Sequence, residues 1–255
     1  MRLQLIRNAT LRLTYAGCTL LIDPYLAPRH SLPTIGGHEP NPTSELPVPA
    51  EAVLEGVDLT LISHLHPDHF DPLAQQLLPS SMPILCQGVD VEALRRLGFT
   101  NVTPLEASWQ GLGLLIERTP GTHGSGHVLP LMGEVMGFVL RAAGEPTVYW
   151  AGDTILTPAV LETTMRVQPE VIVTHSGGAL WDGLPIIMDA EQTVAVCQAA
   201  PQATVVATHL EAVDHAATSR RALREAATAA GISPTQLRIP ADGESLIFAA
   251  PGSPA

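Results

Sequence analysis

The segment Ser63-His64-Leu65-His66-Pro67-Asp68-His69-Phe70-Asp71 constrains this 255-residue chain more than any other. Three histidines and a carboxylate fall within six positions, directly after the aliphatic run VDLTLIS at 57–63, which reads as a buried strand. In extended backbone, residues two apart project to one side, so His64 and His66 can share one ion. Pro67 turns the chain and leaves Asp68 and His69 free to address a second. Imidazole with carboxylate suits Zn, Mn or Fe, and no cysteine lies close enough in sequence to make a thiolate structural site.

A pair of ions needs further ligands, and three other segments offer them in the same setting, at the end of an apolar run. His123 follows the run at 112–119 and sits among Gly121, Gly124 and Gly126. Asp153 ends Tyr149-Trp150-Ala151-Gly152, where a carboxylate could bridge two ions. His209 ends Val205-Val206-Ala207-Thr208. Singly each is weak; together, ligand-type residues at several strand ends are hard to explain as packing. His127 competes with His123, which is favoured because it comes directly off the strand. His175, after the run at 171–174, competes with His209. Asp71 reads as a carboxylate that accepts an imidazole N–H.

The remaining pattern suggests strands at 10–15, 19–22, 84–85, 135–141, 147–151, 204–207 and 245–248, the fourth and fifth joined by a turn. Helices are expected at 89–97, 189–199 and 216–230, the first and last ending at Gly98 and Gly231. Residues 28–49 carry six prolines and few aliphatics, a long irregular loop that serves either as a lid or as an interface arm. Strands, then βα units, then strands again argue for an α+β layered sandwich. Nothing in the composition divides the chain, so residues 1–255 read as a single domain.

Composition narrows the partners. The net charge is -12, and all thirteen basic residues are arginine. Such a chain matches a phosphate backbone poorly, which disfavours nucleic acid. Arg2, Arg7 and Arg12 interrupt any signal-peptide core, no membrane span is evident, and three scattered cysteines imply no disulfide framework; the expectation is a cytoplasmic protein.

With these residues in place, the sequence resembles the metallo-β-lactamase fold superfamily over nearly its whole length. His64-x-His66-x-Asp68-His69 carries the likeness, and the later ligands follow in order. Leu20-Leu21-Ile22-Asp23-Pro24, Tyr149 to Thr154, Gly177-Gly178, Met188-Asp189-Ala190 and Pro240-Ala241-Asp242-Gly243-Glu244 make it most similar to the L-ascorbate-6-phosphate lactonase-like branch. The resemblance implies an αββα sandwich and two divalent ions, Zn or Mn. It places His64, His66 and His123 on the first ion, Asp68, His69 and His209 on the second, and Asp153 between them. Relatives often assemble, so a homo-oligomer is compatible with it. Two cations flanking a water lower its pKa toward neutrality and hold the resulting hydroxide. The expected activity is hydrolysis of a small anionic metabolite through a lactone, ester or phosphate ester. Asp68 would orient the nucleophile and His215 protonate the leaving group. Alternatives are a phosphodiesterase or nuclease of the same fold, and a non-catalytic metal-binding protein.

His66→Ala and Asp153→Ala are each expected to abolish hydrolase activity with the fold retained by circular dichroism; wild-type turnover in either contradicts this assignment.

Overall fold

Period-two alternation of apolar side chains decides the layers. The computed structural model describes residues 1–250. Six strands open the chain: β1 (Arg2–Arg7), β2 (Thr10–Tyr15), β3 (Cys18–Ile22), β4 (Leu59–Ile62), β5 (Ile84–Cys86) and β6 (Val102–Pro104). Five follow: β7 (Ser108–Gly111), β8 (Leu114–Pro120), β9 (Met136–Ala142), β10 (Val148–Trp150) and β11 (Val171–His175). After a two-stranded ribbon of β12 (Leu180–Trp181) and β13 (Leu184–Pro185) come β14 (Thr204–Thr208), β15 (Leu237–Arg238) and β16 (Ser245–Ile247). One seven-stranded sheet runs β16-β1-β2-β3-β4-β5-β6, the other β15-β14-β11-β10-β9-β8-β7.

Alternate residues of each strand face either the opposite sheet or a helix layer. From β9, β10 and β11, Met136, Phe138, Leu140, Val148, Trp150, Val171 and Val173 enter the core between the sheets, meeting Leu11, Leu13, Leu20, Ile22 and Leu61 of the other. Their neighbours Val139, Tyr149 and Ile172 point outward under the helices α5 (Pro158–Val167), α6 (Ala190–Ala199) and α7 (Arg220–Ala229). On the far face, Leu21, Ile62, Ile84 and Cys86 pack beneath α1 (Ala50–Leu54), α2 (Pro72–Leu77) and α3 (Val91–Arg96). The result is helix, sheet, sheet, helix, the αββα arrangement expected. A short helix, α4 (Leu129–Met132), lies apart from these layers.

Strands β3 to β6 run parallel to one another, as do β10, β11, β14 and β15. Their C-terminal ends therefore gather, and the loops after β3, β4, β10, β11 and β14 meet at one edge of the sandwich.

Some local expectations change. The helix expected over 216–230 starts at Arg220, because Ser219 Oγ accepts the Ala222 N–H at 3.1 Å and caps it there. The preceding residues are drawn elsewhere: the Thr218 N–H bonds to Gly177 O at 2.8 Å. Asp71 holds no imidazole. Its Oδ1 accepts the Ala74 N–H at 2.9 Å as the cap of α2, and the Leu26 N–H at 3.1 Å. Residues 28–49 are irregular as expected, but they fold back on themselves through a Leu32–Asn41 antiparallel bridge. Among the described residues, no helix is long and apolar enough to cross a membrane.

Trp150 stacks on Phe138 at 4.7 Å between the sheets with its side chain fully buried. Trp150→Ala is expected to lower the unfolding free energy by about 3–5 kcal/mol, read from urea melts; a loss below ~1 kcal/mol contradicts this packing.

Candidate metal centre

Loops at the gathered edge carry the ligand-type residues, and the Asp153 carboxylate is their meeting point. Its Oδ2 lies 3.3 Å from His69 Nε2, 3.4 Å from His123 Nε2 and 3.8 Å from His64 Nε2. Its Oδ1 lies 2.5 Å from His175 Nδ1 and 3.9 Å from His209 Nε2. On the far side of His209, Asp68 Oδ2 is 3.1 Å from Nε2 and 3.8 Å from His69 Nε2. Two clusters result whose ligand atoms lie within 4.8 Å of one another: His64 with His66 and His123, and Asp153 with His69, His175 and His209.

Tautomers are set from behind. His69 donates Nδ1–H to Asp23 Oδ2 at 2.8 Å, and His123 donates Nδ1–H to Ile186 O at 2.7 Å. Ser63 Oγ donates to Asp23 Oδ2 at 2.7 Å and accepts from His64 Nδ1 at 2.9 Å. In each ring this leaves the Nε2 lone pair aimed into the site. His64, His69 and His209 are buried, and their Nε2 atoms face carboxylate oxygens at 3.8, 3.3 and 3.1 Å without a well-directed hydrogen bond. Such atoms are costly unless something accepts their lone pairs.

The charge balance points the same way. Asp23, Asp68 and Asp153 are buried together, and no arginine lines the adjoining cavity. Burial opposes ionisation of Asp68 and Asp153, yet His69 and His209 outweigh it and hold both carboxyls well below the usual range. Burial holds the His64 imidazole well below its ordinary value, with His69 and His66 adding to the effect. Burial likewise pushes His175 down to about 4, against the pull of Asp153. Burial opposes a proton on His69, yet Asp153, Asp68 and Asp23 outweigh it and hold that imidazole well above its ordinary value. Positive charge is therefore favoured where the carboxylates meet, a divalent cation would supply it in the proton's place, and the donor set fits the ions that the resemblance implied.

Of the competing histidines, His127 lies away from the clusters, exposed and 2.6 Å from Asp182. His175 is inside, with Nδ1 against Asp153 and its ring edge-on to Trp150 at 4.8 Å. His209 takes left-handed backbone at φ 58°, a strained state for histidine that marks a constrained position. Gly177 permits it: a Cβ there would stand 2.1 Å from His209 O. His215 does not join the clusters but lines the same cavity, half-buried.

Two residues escaped the sequence reading. Asp23 serves His69 and Ser63 together, and its only signal was a carboxylate ending the β3 run, the setting that singled out Asp153. Asn8 donates to Asp68 O at 3.1 Å and to Asp68 Oδ2 at 3.3 Å, while its own carbonyl receives the His209 N–H. Nothing local in the sequence announces it.

Above the clusters opens a cavity of about 390 Å³. Besides His66, Asp68, His123, Asp153, His209 and His215, its walls are apolar: Ile35, Leu131, Met132, Trp181, Ile186 and Ile187.

A family profile described as "Beta-lactamase superfamily domain" matches residues 19–210. The chain is 36% identical to the UPF0173 protein YddR of Bacillus subtilis, over 97% of this chain and all of that one. The crystal structure of an isothiocyanate hydrolase from Delia radicum gut bacteria superposes with a TM-score of 0.91 at 38% identity, covering 98% and 100% of the two chains. A possible metal-dependent hydrolase from Veillonella parvula superposes at 0.93 with 34% identity, covering 97% and 99%. The protein therefore belongs to the beta-lactamase superfamily domain family, as one of its metal-dependent hydrolases alongside the UPF0173 relatives.

Proposed function

We propose that this hydrolase works with two divalent ions, Zn or Mn, on a small, neutral electrophile carrying an apolar substituent, an isothiocyanate being the best-supported class. The observation that carries the reading is the pairing of two ligand clusters around Asp153 with an apolar-walled cavity directly above them. Support for the reactive group comes from the similar isothiocyanate hydrolase. His64, His66 and His123 would hold one ion, Asp68, His69 and His209 the other, with Asp153 between them. His175, its Nδ1 engaged by Asp153 Oδ1, is read as the residue that fixes the carboxylate's orientation.

Bound there, two divalent ions supply Lewis-acid polarisation and a water acidic enough to attack at neutral pH. The chain's residues do the rest. Asp68, held by Asn8, accepts the proton of the attacking water. His215, on the cavity lining and held below its ordinary pKa by burial, is neutral and would take up the second water proton and pass it to the departing nitrogen. The balance is one isothiocyanate and one water giving a primary amine and carbonyl sulfide. Water's oxygen bonds to the central carbon, the carbon–nitrogen bond breaks, and both water protons end on nitrogen. The walls exclude bulk water from the remainder of the substrate.

A small anionic metabolite is the expectation that accompanies the resemblance. The cavity lining adds no arginine to receive a further anionic group, so the neutral reading is preferred, with lactones and esters carrying apolar groups as the second class. A phosphodiesterase or nuclease finds no track here. Arg220 pairs with Glu211 and Asp242, Arg221 with Glu225, Arg95 with Glu92, and Arg224 donates to Leu237 O.

Benzyl isothiocyanate incubated with metal-loaded protein should release benzylamine, and a chelator should abolish the release. His123→Ala should lose activity at least ~100-fold while His127→Ala stays within about twofold; equal effects would reverse the choice between them. Asp23→Ala should weaken metal binding about 10–100-fold in a competitive titration with a chromophoric chelator; unchanged affinity would remove Asp23 from the site.

A further inference from the structure

The proline-rich segment has so far been only a loop, yet it is fastened at three levels. At its base, the buried Arg7 guanidinium donates from Nη2 to Tyr25 O and Ala27 O, each at 2.8 Å, and from Nη1 to Ser44 O at 3.1 Å. Midway, Leu32 and Asn41 exchange backbone hydrogen bonds at 2.8 and 2.9 Å. At its tip, the Asp214 carboxylate gathers four donor groups. Oδ1 accepts the N–H of Ile35 at 3.0 Å and of Gly36 at 2.9 Å, and Asn41 Nδ2 at 2.9 Å. Oδ2 accepts the N–H of Gly36 at 3.0 Å and of His38 at 3.1 Å. Asn41 Oδ1 in turn receives the Asp214 N–H at 2.9 Å. Burial alone would raise the Asp214 carboxyl, but these donors hold it well below the usual range, so the acceptor stays ionised.

What this fastening delivers is Ile35. The side chain lines the cavity above the ligand clusters, beside His215 and together with Trp181 of β12 and Leu131 and Met132 of α4. Gly36 lets the tip sit this close: a Cβ there would stand 2.8 Å from His215 Cβ. Trp181 and Leu131 remain 36% and 64% exposed, large apolar side chains at the rim with surface still to cover. Such surface is rarely left bare without a use.

We infer that Ile35 is a specificity-determining cover, and that Asp214 is the positioning residue that latches it, together setting how large an apolar substituent the cavity accepts. The inference rests on the reading of the cavity as the seat of a neutral, apolar substrate. An aryl-sized group seated among Ile35, Trp181, Leu131 and Met132 removes apolar surface from water on both partners. A methyl group has far less apolar surface to remove. Discrimination by substituent size is therefore the property that depends on the latch.

The test compares kcat/KM for benzyl and methyl isothiocyanate, whose ratio is insensitive to the fraction of active enzyme. Wild type should favour benzyl. Ile35→Trp, which fills the seat, should lower the benzyl-to-methyl ratio at least ~tenfold. Asp214→Ala should lower it about tenfold, mainly through the benzyl KM. Asp214→Asn, which keeps an oxygen for the Ile35 and Gly36 N–H groups, should fall between Asp214→Ala and wild type. A ratio unmoved by Ile35→Trp overturns the cover, and one unmoved by Asp214→Ala overturns the latch. If wild type turns over neither compound, the proposed reactive group is wrong, and the cover is read by calorimetry instead, with N-benzylacetamide against N-methylacetamide. Benzyl selectivity lost in both variants supports the inference; selectivity retained in both overturns it.

Discussion

The Asp153 carboxylate and the imidazoles converging on it are the constraint on which the rest of the site depends. Three buried carboxylates and six imidazoles, five of them buried, share one edge of the sandwich, with no arginine lining the cavity beside them. Burial on this scale is unfavourable unless the charges are matched and the lone pairs accepted. Divalent ions do both. The hydrogen bonds behind the site leave the same nitrogen, Nε2, free on His64, His69 and His123, so ligand geometry is set by the fold before any ion arrives.

That convergence is a consequence of strand direction. Parallel strands within each sheet end at the same edge, and the period-two alternation commits their side chains to the core until the last residue. Beyond that residue the backbone is free to turn. Asp23 and His209 follow β3 and β14 in left-handed backbone, spending strain to aim a carboxylate and an imidazole inward. Binding residues on loops held by a rigid scaffold follow this general logic.

Much of this was legible in the sequence. His64, His66, Asp68 and His69 lie within one turn, where local spacing alone brings them together, and Asp153 and His209 announce themselves by ending aliphatic runs. The layered α+β architecture followed from the order of strand-like and helix-like segments. What local pattern could not supply was contact across the chain. Asn8 meets Asp68 from 60 residues away, and Asp214 gathers Ile35 from 179. Asp71 sits inside the motif and still serves as a helix cap, because its position just before Pro72 and the first turn of α2 decides its partner. His123 was favoured over His127 because it comes directly off the strand, and the structure separates the pair: Ile186 O holds the first inside, while Asp182 holds the second at the surface.

The proposed pair of ions at Asp153, beneath the apolar cavity, is the central claim. Anomalous diffraction from crystals of the protein grown with Zn or Mn, recorded at the metal's absorption edge, tests it most directly. Two peaks are predicted, one among His64, His66 and His123 and one among Asp68, His69 and His209, with Asp153 touching both. A single peak, or a second one liganded by His175 in place of Asp68, would contradict it.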